Sequence, residues 1–302
     1  MSDVHVAVRV PAKVNVYLGV GPREANGFHG LATVFQSLSV YDEITLESAE
    51  DFSIVPAGDW KEFIPTDSSN LAAKAINLVA KASGNKSLVQ VTIDKSIPVA
   101  AGLAGGSADA AAALVAANAL WGNAVERDQL EVMANELGSD VAFMLHGGCA
   151  LGTGRGNILS PVMTRGTFHW VLATFKDGLS TPAVYSKLDE MRGEDFAEEP
   201  QVPTELLAAL AQGDAVALGQ HLHNDLQRAA IALKPVLGNA LEFGLEQGAL
   251  GGIVSGSGPT CAFLTHDENS AIDLVVKLMG SGLVDGALHA HGPVHGARVI
   301  PQ

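Results

Sequence analysis

Pro98-Val99-Ala100-Ala101-Gly102-Leu103-Ala104-Gly105-Gly106-Ser107-Ala108-Asp109 lies between two regular patterns. Residues 88–93 alternate with period two, as a strand does, and roughly 107–121 reads as a helix. Between Lys95 and Glu126 the only charged side chain is Asp109, so this helix is expected to be buried nearly all round. Its N-terminus opens on glycines. Free N–H groups and the helix dipole suit that end to an anion. Glycine lets a backbone close on a phosphate with no Cβ in the way, so a side chain at Gly105 is expected to obstruct phosphate binding. The segment holds no Gly-Lys-Ser/Thr and fits no Gly-x-Gly-x-x-Gly register, which excludes the Walker A and Rossmann readings. Tight packing of helix on strand would also explain such a loop.

The surrounding composition narrows the partners. The chain has 302 residues, enough for about two domains. Hydrophobic residues make up 47% and charged residues 17%, which excludes a disordered chain. Lys and Arg total 18 against 33 Asp and Glu, a net charge of −15. Such a surface repels polyanions, so neither nucleic acid nor an anionic membrane is an expected partner. A bound phosphate must then be held by local groups. Cys149 and Cys261 sit in apolar, strand-like runs and read as buried reduced thiols, not a disulfide framework. The first residues lack the basic and apolar regions of a signal peptide, and the most apolar stretch, 110–121, is too short to span a bilayer. The expected location is the cytoplasm.

Val4, Val6, Val8 and Val10, then Val14, Val16, Leu18 and Val20, read as two strands broken near Pro11-Ala12. Residues 31–47 read as strand, 56–69 as a polar loop, and 70–82 as a helix. Short helices follow near 126–137 and 139–146, then a hairpin over 148–159. After a strand from His169, helical patterns cover about 181–191, 203–211, 214–232 and 234–247. A strand–turn–strand at 252–264, a helix at 269–280 and a short strand complete the chain. Strands and helices mix without strict alternation, which favours an α+β architecture.

Three further segments carry chemistry. Lys13 and Asn15 are two apart, so both face one side of a strand. Gly138-Ser139-Asp140-Val141 places a carboxylate at a helix start, where it could equally be an N-cap. Ser255-Gly256-Ser257-Gly258-Pro259 lies between two apolar runs and could be a plain turn. Arg155, between two glycines, is either a hairpin-tip charge or a phosphate neighbour. His289, His291 and His295 cluster near the C-terminus, and 289 and 291 share a strand face that could meet a metal, but no Cys or carboxylate accompanies them closely, so no metal site is expected. His221 and His223 read as surface residues of a helix.

In this order, the Lys13 segment, the central loop and the late Gly-rich stretch resemble the GHMP kinase superfamily. Four details narrow the resemblance to its branch acting on CDP-methylerythritol. They are Pro11-Ala12-Lys13-Val14-Asn15; Gly27-Phe28-His29 followed by Leu31, Thr33, Phe35 and Gln36; Ile93-Asp94-Lys95; and Leu137-Gly138-Ser139-Asp140-Val141. The match spans nearly the whole chain. Three residues depart from it. Ala104 stands where that loop usually has Gly, tolerable only with φ < 0. Ala108 stands where Ser is frequent, and Phe28 where Tyr is usual.

The resemblance implies a two-domain α+β GHMP kinase fold: an ATP-binding α/β domain over residues 1–163 and an α/β sandwich domain over 164–302. It implies that ATP, with Mg2+, phosphorylates the 2-hydroxyl of CDP-methylerythritol, a small-molecule substrate of the non-mevalonate isoprenoid pathway. Asp140 matches the catalytic base and Lys13 the second catalytic residue. Residues 98–108 match the nucleotide loop, with Gly102, Gly105, Gly106 and Ser107 around the phosphates and Ser107 near Mg2+. Asn70 and Lys95 match positions beside adenine and ribose. Asn15 matches a substrate-hydroxyl contact, His29 the residue on the cytosine edge, and Phe28 and Tyr185 two rings that sandwich the base. Thr181 matches a substrate contact or an N-cap. The alternatives are another small-molecule kinase of the superfamily, or a nucleotide sensor without chemistry; the Lys13 and Asp140 pair argues against the sensor. The oligomeric state is not legible.

Overall fold

The computed structural model describes residues 5–193 and 199–301, so Val4 of the first alternating run lies outside it. Two mixed layers of sheet and helix form the architecture. The first sheet has eight strands and is built on one long hairpin, β1 (His5–Arg23) with β2 (His29–Ala49). The expected break at Pro11-Ala12 is a register shift inside continuous β1. The irregularity lies on β2, where Ser39 and Val40 fall between the partners of Pro11 and Ala12, so β1 runs on without ending. β2 pairs on its other side with β4 (Leu88–Lys95) and, further along, with β5 (Cys149–Thr153) of the hairpin to β6 (Ile158–Pro161). Part of the expected polar loop is strand: β3 (Ser53–Gly58) pairs parallel to β4.

Against one face lie α2 (Gly105–Leu120) and α4 (Ser139–His146), with α1 (Leu71–Ser83) and α3 (Arg127–Leu137) packed on them from beyond. α2 is buried nearly all round, as its sequence requires. Its alanines let it sit close to α1 and to the sheet. Fully buried Ala110, Ala111, Ala112, Ala113 and Leu114 make it the centre of the first core.

The second sheet has the order β11-β7-β10-β9, all antiparallel. Its strands are β7 (Phe168–Thr174), β9 (Gly251–Val254), β10 (Cys261–Thr265) and β11 (Gly286–Gly292). Period-two alternation divides its side chains between two cores. Trp170, Leu172, Ala262 and Leu264 face the first core; Val171, Ala173, Cys261 and Phe263 face the second. The second core is closed by α5 (Thr181–Arg192), α8 (Gln227–Leu233), α9 (Val236–Glu246) and α10 (Glu268–Ser281), while α6 (Thr204–Gln212) and α7 (Ala215–Gln220) add Leu206, Leu210 and Leu218 to the first. Both cysteines are buried and free.

The single helix expected over 214–232 is two, α7 and α8, separated by β8 (His223–Asn224). Asn224 explains the break. Its Nδ2 donates to the carbonyls of Val254 and Gly256, both at 2.7 Å, and its Oδ1 accepts from Leu226 N at 2.9 Å. His221 and His223 therefore do not share a helix: His221 ends α7, and His223 lies in β8, exposed as expected, with its Nε2 2.8 Å from Asp225 Oδ1. β8 joins the first sheet in parallel with β1, and β12 (Arg298–Val299) pairs with β1 further back.

Candidate active site

β1 carries Lys13 and Asn15 on one face, as their spacing predicts. Lys13 Nζ donates to Asn15 Oδ1 at 2.6 Å, Asn15 Nδ2 to Thr33 Oγ1 at 2.8 Å, and Thr33 Oγ1 to the Tyr17 carbonyl at 2.7 Å. This relay, with the Phe35 ring 5.6 Å below the ammonium, fixes the tilt of Lys13. The ammonium lies 3.8 Å from Asp140 Oδ2, in the first turn of α4. Neither Ser139 nor Asp140 caps that helix; Gly138 holds the cap position and the Asp140 side chain is left to face Lys13.

Two glycine loops wall the space above this pair. In the first, Gly102 comes so close to the Ser255 carbonyl that any Cβ would strike it. Ser255 Oγ donates to the Gly102 carbonyl at 2.9 Å, and Thr260 N to the Ala101 carbonyl at 3.2 Å. The late Gly-rich stretch is therefore a second wall as well as a turn. The resulting cleft, about 450 Å³, is lined by Ala100, Ala101, Gly102, Ala104, Gly105, Gly106 and Ser107 of the first loop. Pro98, Val99, Leu103 and Ala108 do not line it, and fully buried Ala108 faces the core, where a hydroxyl would have no phosphate to meet.

Ala104 has φ +60°, against the expectation that alanine there must keep φ negative. It adopts the left-handed conformation at the N-cap of α2, which costs about 1–2 kcal/mol for a residue with a Cβ. Gly105 also differs from expectation. A Cβ there would point inward, 2.9 Å from Lys95 Nζ, whereas one on Gly106 would meet nothing within 4 Å. Both glycines line the cleft, but a side chain on Gly106 would enter open space.

Lys95 and Asn70 are not brought to the cleft. Lys95 is buried beneath the loop, its ammonium 2.6 Å from Asp42 Oδ2 and 2.7 Å from Asp109 Oδ2. Asp42 Oδ1 in turn accepts from Ser96 N and Ile97 N. Asn70 caps α1 by accepting from Ala72 N and donates to the Pro65 carbonyl.

A second cavity of about 670 Å³ adjoins the cleft and gathers Phe28, His29, Thr181 and Tyr185. His29 and Tyr185 have ring centroids 5.3 Å apart. Burial, helped by the charge of Asp140, pushes the Tyr185 phenol up to about 12, so it stays protonated. Thr181 is the first residue of α5, Ser180 holding the cap, and its hydroxyl lies 2.8 Å from Ser257 Oγ. Two residues that sequence reasoning did not place stand here. Asp189, one helical turn after Tyr185, accepts from or faces His29 Nε2 at 2.8 Å; the four-residue spacing was its signal. Arg155 lines both cavities. Elsewhere, His289 Nε2 lies 3.1 Å from His169 Nδ1, and His291 Nδ1 lies 3.0 Å from Ser39 Oγ.

Comparison with known proteins places this geometry. Residues 70–148 match the GHMP kinases N terminal domain and residues 206–282 the GHMP kinases C terminal domain. The chain is 50% identical over 299 residues to the 4-diphosphocytidyl-2-C-methyl-D-erythritol kinase of Mycolicibacterium gilvum, covering 98% of this chain and 93% of that protein. To the kinase of the same name from Nocardia farcinica it is 51% identical over 297 residues, covering 98% and 96%. A crystal structure of 4-(cytidine 5'-diphospho)-2C-methyl-D-erythritol kinase superposes with a TM-score of 0.78 at 31% identity, covering 94% of this chain and 98% of that one. The chain belongs to the GHMP kinase family, in the branch of the 4-diphosphocytidyl-2-C-methyl-D-erythritol kinases.

Proposed function

We propose that this chain transfers the terminal phosphoryl group of ATP to the 2-hydroxyl of 4-diphosphocytidyl-2-C-methyl-D-erythritol. The observation that carries the reading is the juxtaposition of the Lys13–Asp140 pair, the double glycine wall and the aromatic cavity beside them. Asp140 accepts the hydroxyl proton as the new bond to phosphorus forms. Lys13, held by Asn15 and Thr33, stabilises charge developing on the transferring group. The start of α2 presents free N–H groups to the phosphates. Phe28, His29 and Tyr185 take the cytosine, and that remote grip positions the reacting hydroxyl.

Magnesium fits this site. Among the described residues no cluster of three carboxylate, histidine or cysteine side chains could hold a metal ion. Mg2+ suits such a place, because it takes one or two protein oxygens and completes its shell with phosphate oxygens and water. Ser107, in the first turn of α2 on the cleft wall, would hold it. When bound, it neutralises charge on the phosphate oxygens.

The proposal extends to a soluble cytoplasmic enzyme without a nucleic-acid partner, supported by the net charge of −15 and by the absence, among the described residues, of a helix long and apolar enough to cross a membrane. It keeps residue 163 as the division between the domains, supported by β6 and β7 lying on different sheets. The test is ADP release with Mg·ATP and, in parallel, CDP-methylerythritol, its UDP analogue, homoserine and galactose. Turnover with the CDP ester alone is expected. Equal efficiency with the UDP analogue would remove the base cavity from the reading, and turnover only with homoserine or galactose would overturn it.

A further inference from the structure

We infer that Arg155 is the residue that grips the diphosphate of the substrate, an inference that rests on the reading above. The cleft and the base cavity share five lining residues: Leu31, Ser139, Arg155, Thr181 and Tyr185. A substrate with its base against His29 and its hydroxyl at Asp140 must lay its middle along this shared wall. That middle is a diphosphate, the most charged part of the molecule. Of the five shared residues only Arg155 is charged. The surroundings are otherwise hostile to an anion: Asp140 lines one cavity, Glu136 and Asp189 the other, and the chain as a whole carries −15.

The other cations on these walls are committed. Lys13 faces Asp140 at 3.8 Å and Arg23 faces Asp189 at 3.9 Å. Arg155 has no carboxylate partner among the described residues. Its guanidinium carbon lies 3.4 Å from the centroid of the Phe28 ring. Stacking of this kind engages the face of the guanidinium and leaves its N–H edge available, in the fork geometry that matches two phosphate oxygens. The backbone beneath is pinned. Gly154 and Gly156 have φ of +65° and +86°, the Gly154 carbonyl accepts from Leu31 N at 2.7 Å, and Arg155 N donates to Asn157 Oδ1 at 3.3 Å. The hairpin tip is thus a fixed post carrying a long cationic side chain. Phe28, on which that side chain rests, lines the base cavity and not the nucleotide cleft. This favours the substrate diphosphate over the ATP phosphates as the anion served.

The experiment compares wild type with Arg155→Gln and Arg155→Lys, after thermal melts confirm that each variant folds. Calorimetry measures the affinity of CDP and of cytidine. In Arg155→Gln, CDP should weaken about tenfold or more while cytidine stays within twofold; Arg155→Lys should recover part of the loss. In turnover, the KM for CDP-methylerythritol should rise by a similar factor, with the KM for ATP unchanged. Equal weakening of CDP and cytidine would overturn the inference, leaving Arg155 as a support for the Phe28 face. So would a rise confined to the KM for ATP, or no change in either ligand. A wild type that binds CDP more tightly than cytidine through Arg155 yet does not phosphorylate CDP-methylerythritol would sink the proposed function and leave the diphosphate assignment standing.

Discussion

Lys13 and Lys95 are both nearly buried lysines facing aspartates, and the phosphate loop passes between them. Around Lys95 the geometry is closed. Asp42 and Asp109 meet it at 2.6 and 2.7 Å, and neither carboxylate side chain is more than 8% exposed. Around Lys13 it is open. Asp140 stands 3.8 Å off and its side chain is 31% exposed, so a hydroxyl can reach it from the cleft. The same pair of functional groups thus holds a loop in one place and stands open to the cleft in the other. Contact distance and access to the cleft separate the two roles, and residue type does not.

The largest test of this contrast is Lys95→Met. It leaves two carboxylates buried without their ammonium, which should cost about 3–5 kcal/mol of stability in denaturant unfolding. A loss under about 1 kcal/mol would show that the closed site is not what holds the loop. Next comes Asp140→Asn. Turnover should fall roughly 10²-fold or more, as expected for loss of a general base, while the unfolding midpoint stays at the wild-type value. Near-normal turnover would take Asp140 out of the reaction.

The third effect is a slope. Burial, reinforced by the negative charge of Asp42 and opposed by Lys95, raises the Asp109 carboxyl to about 7, and its Oδ1 has no hydrogen-bond partner. The folded state therefore holds this proton more tightly than the unfolded chain does. The stability it contributes is fully present below the ordinary carboxylate value of 3.8 and is lost as pH rises through about 7. Asp109→Asn should flatten the stability profile in that window by up to one proton, about 1.4 kcal/mol per pH unit. An unchanged slope would assign the titration to another group.

Local patterns made much of this molecule legible. The strand–loop–helix at residue 98, the shared face of Lys13 and Asn15, and the paired helices before and after Gly138 all follow from spacing. What escaped was set by partners distant in sequence. Asp42 lies 53 residues from Lys95, and nothing near Lys95 announces that its ammonium is already engaged. Asn224 interrupts an otherwise helical pattern because two carbonyls about 30 residues on take its amide. Gly105 and Gly106 are identical as letters, and only the surroundings of a Cβ on each tell which one would meet Lys95 and which would meet open space. Nothing near Arg155 announces that Phe28, far away in the chain, lies under its guanidinium.

The outer edge of β1 is covered by three separate pieces: β12 at Val8 and Arg9, the Leu103 carbonyl at Lys13, and β8 at Tyr17 and Leu18. During synthesis these arrive in a different order from the one in which they lie along the strand. Leu103 comes first, β8 later, and β12 later still. At about 5–20 residues per second, β1 waits roughly ten to sixty seconds for its last neighbour. Throughout that interval the Val8–Arg9 end of a long apolar strand presents an open edge on which another chain could add, whereas the edge at Lys13 can close once Leu103 is made. Ribosome-bound intermediates of this protein therefore have a defined vulnerable stretch, and it lies at Val8 and Arg9, ahead of Lys13.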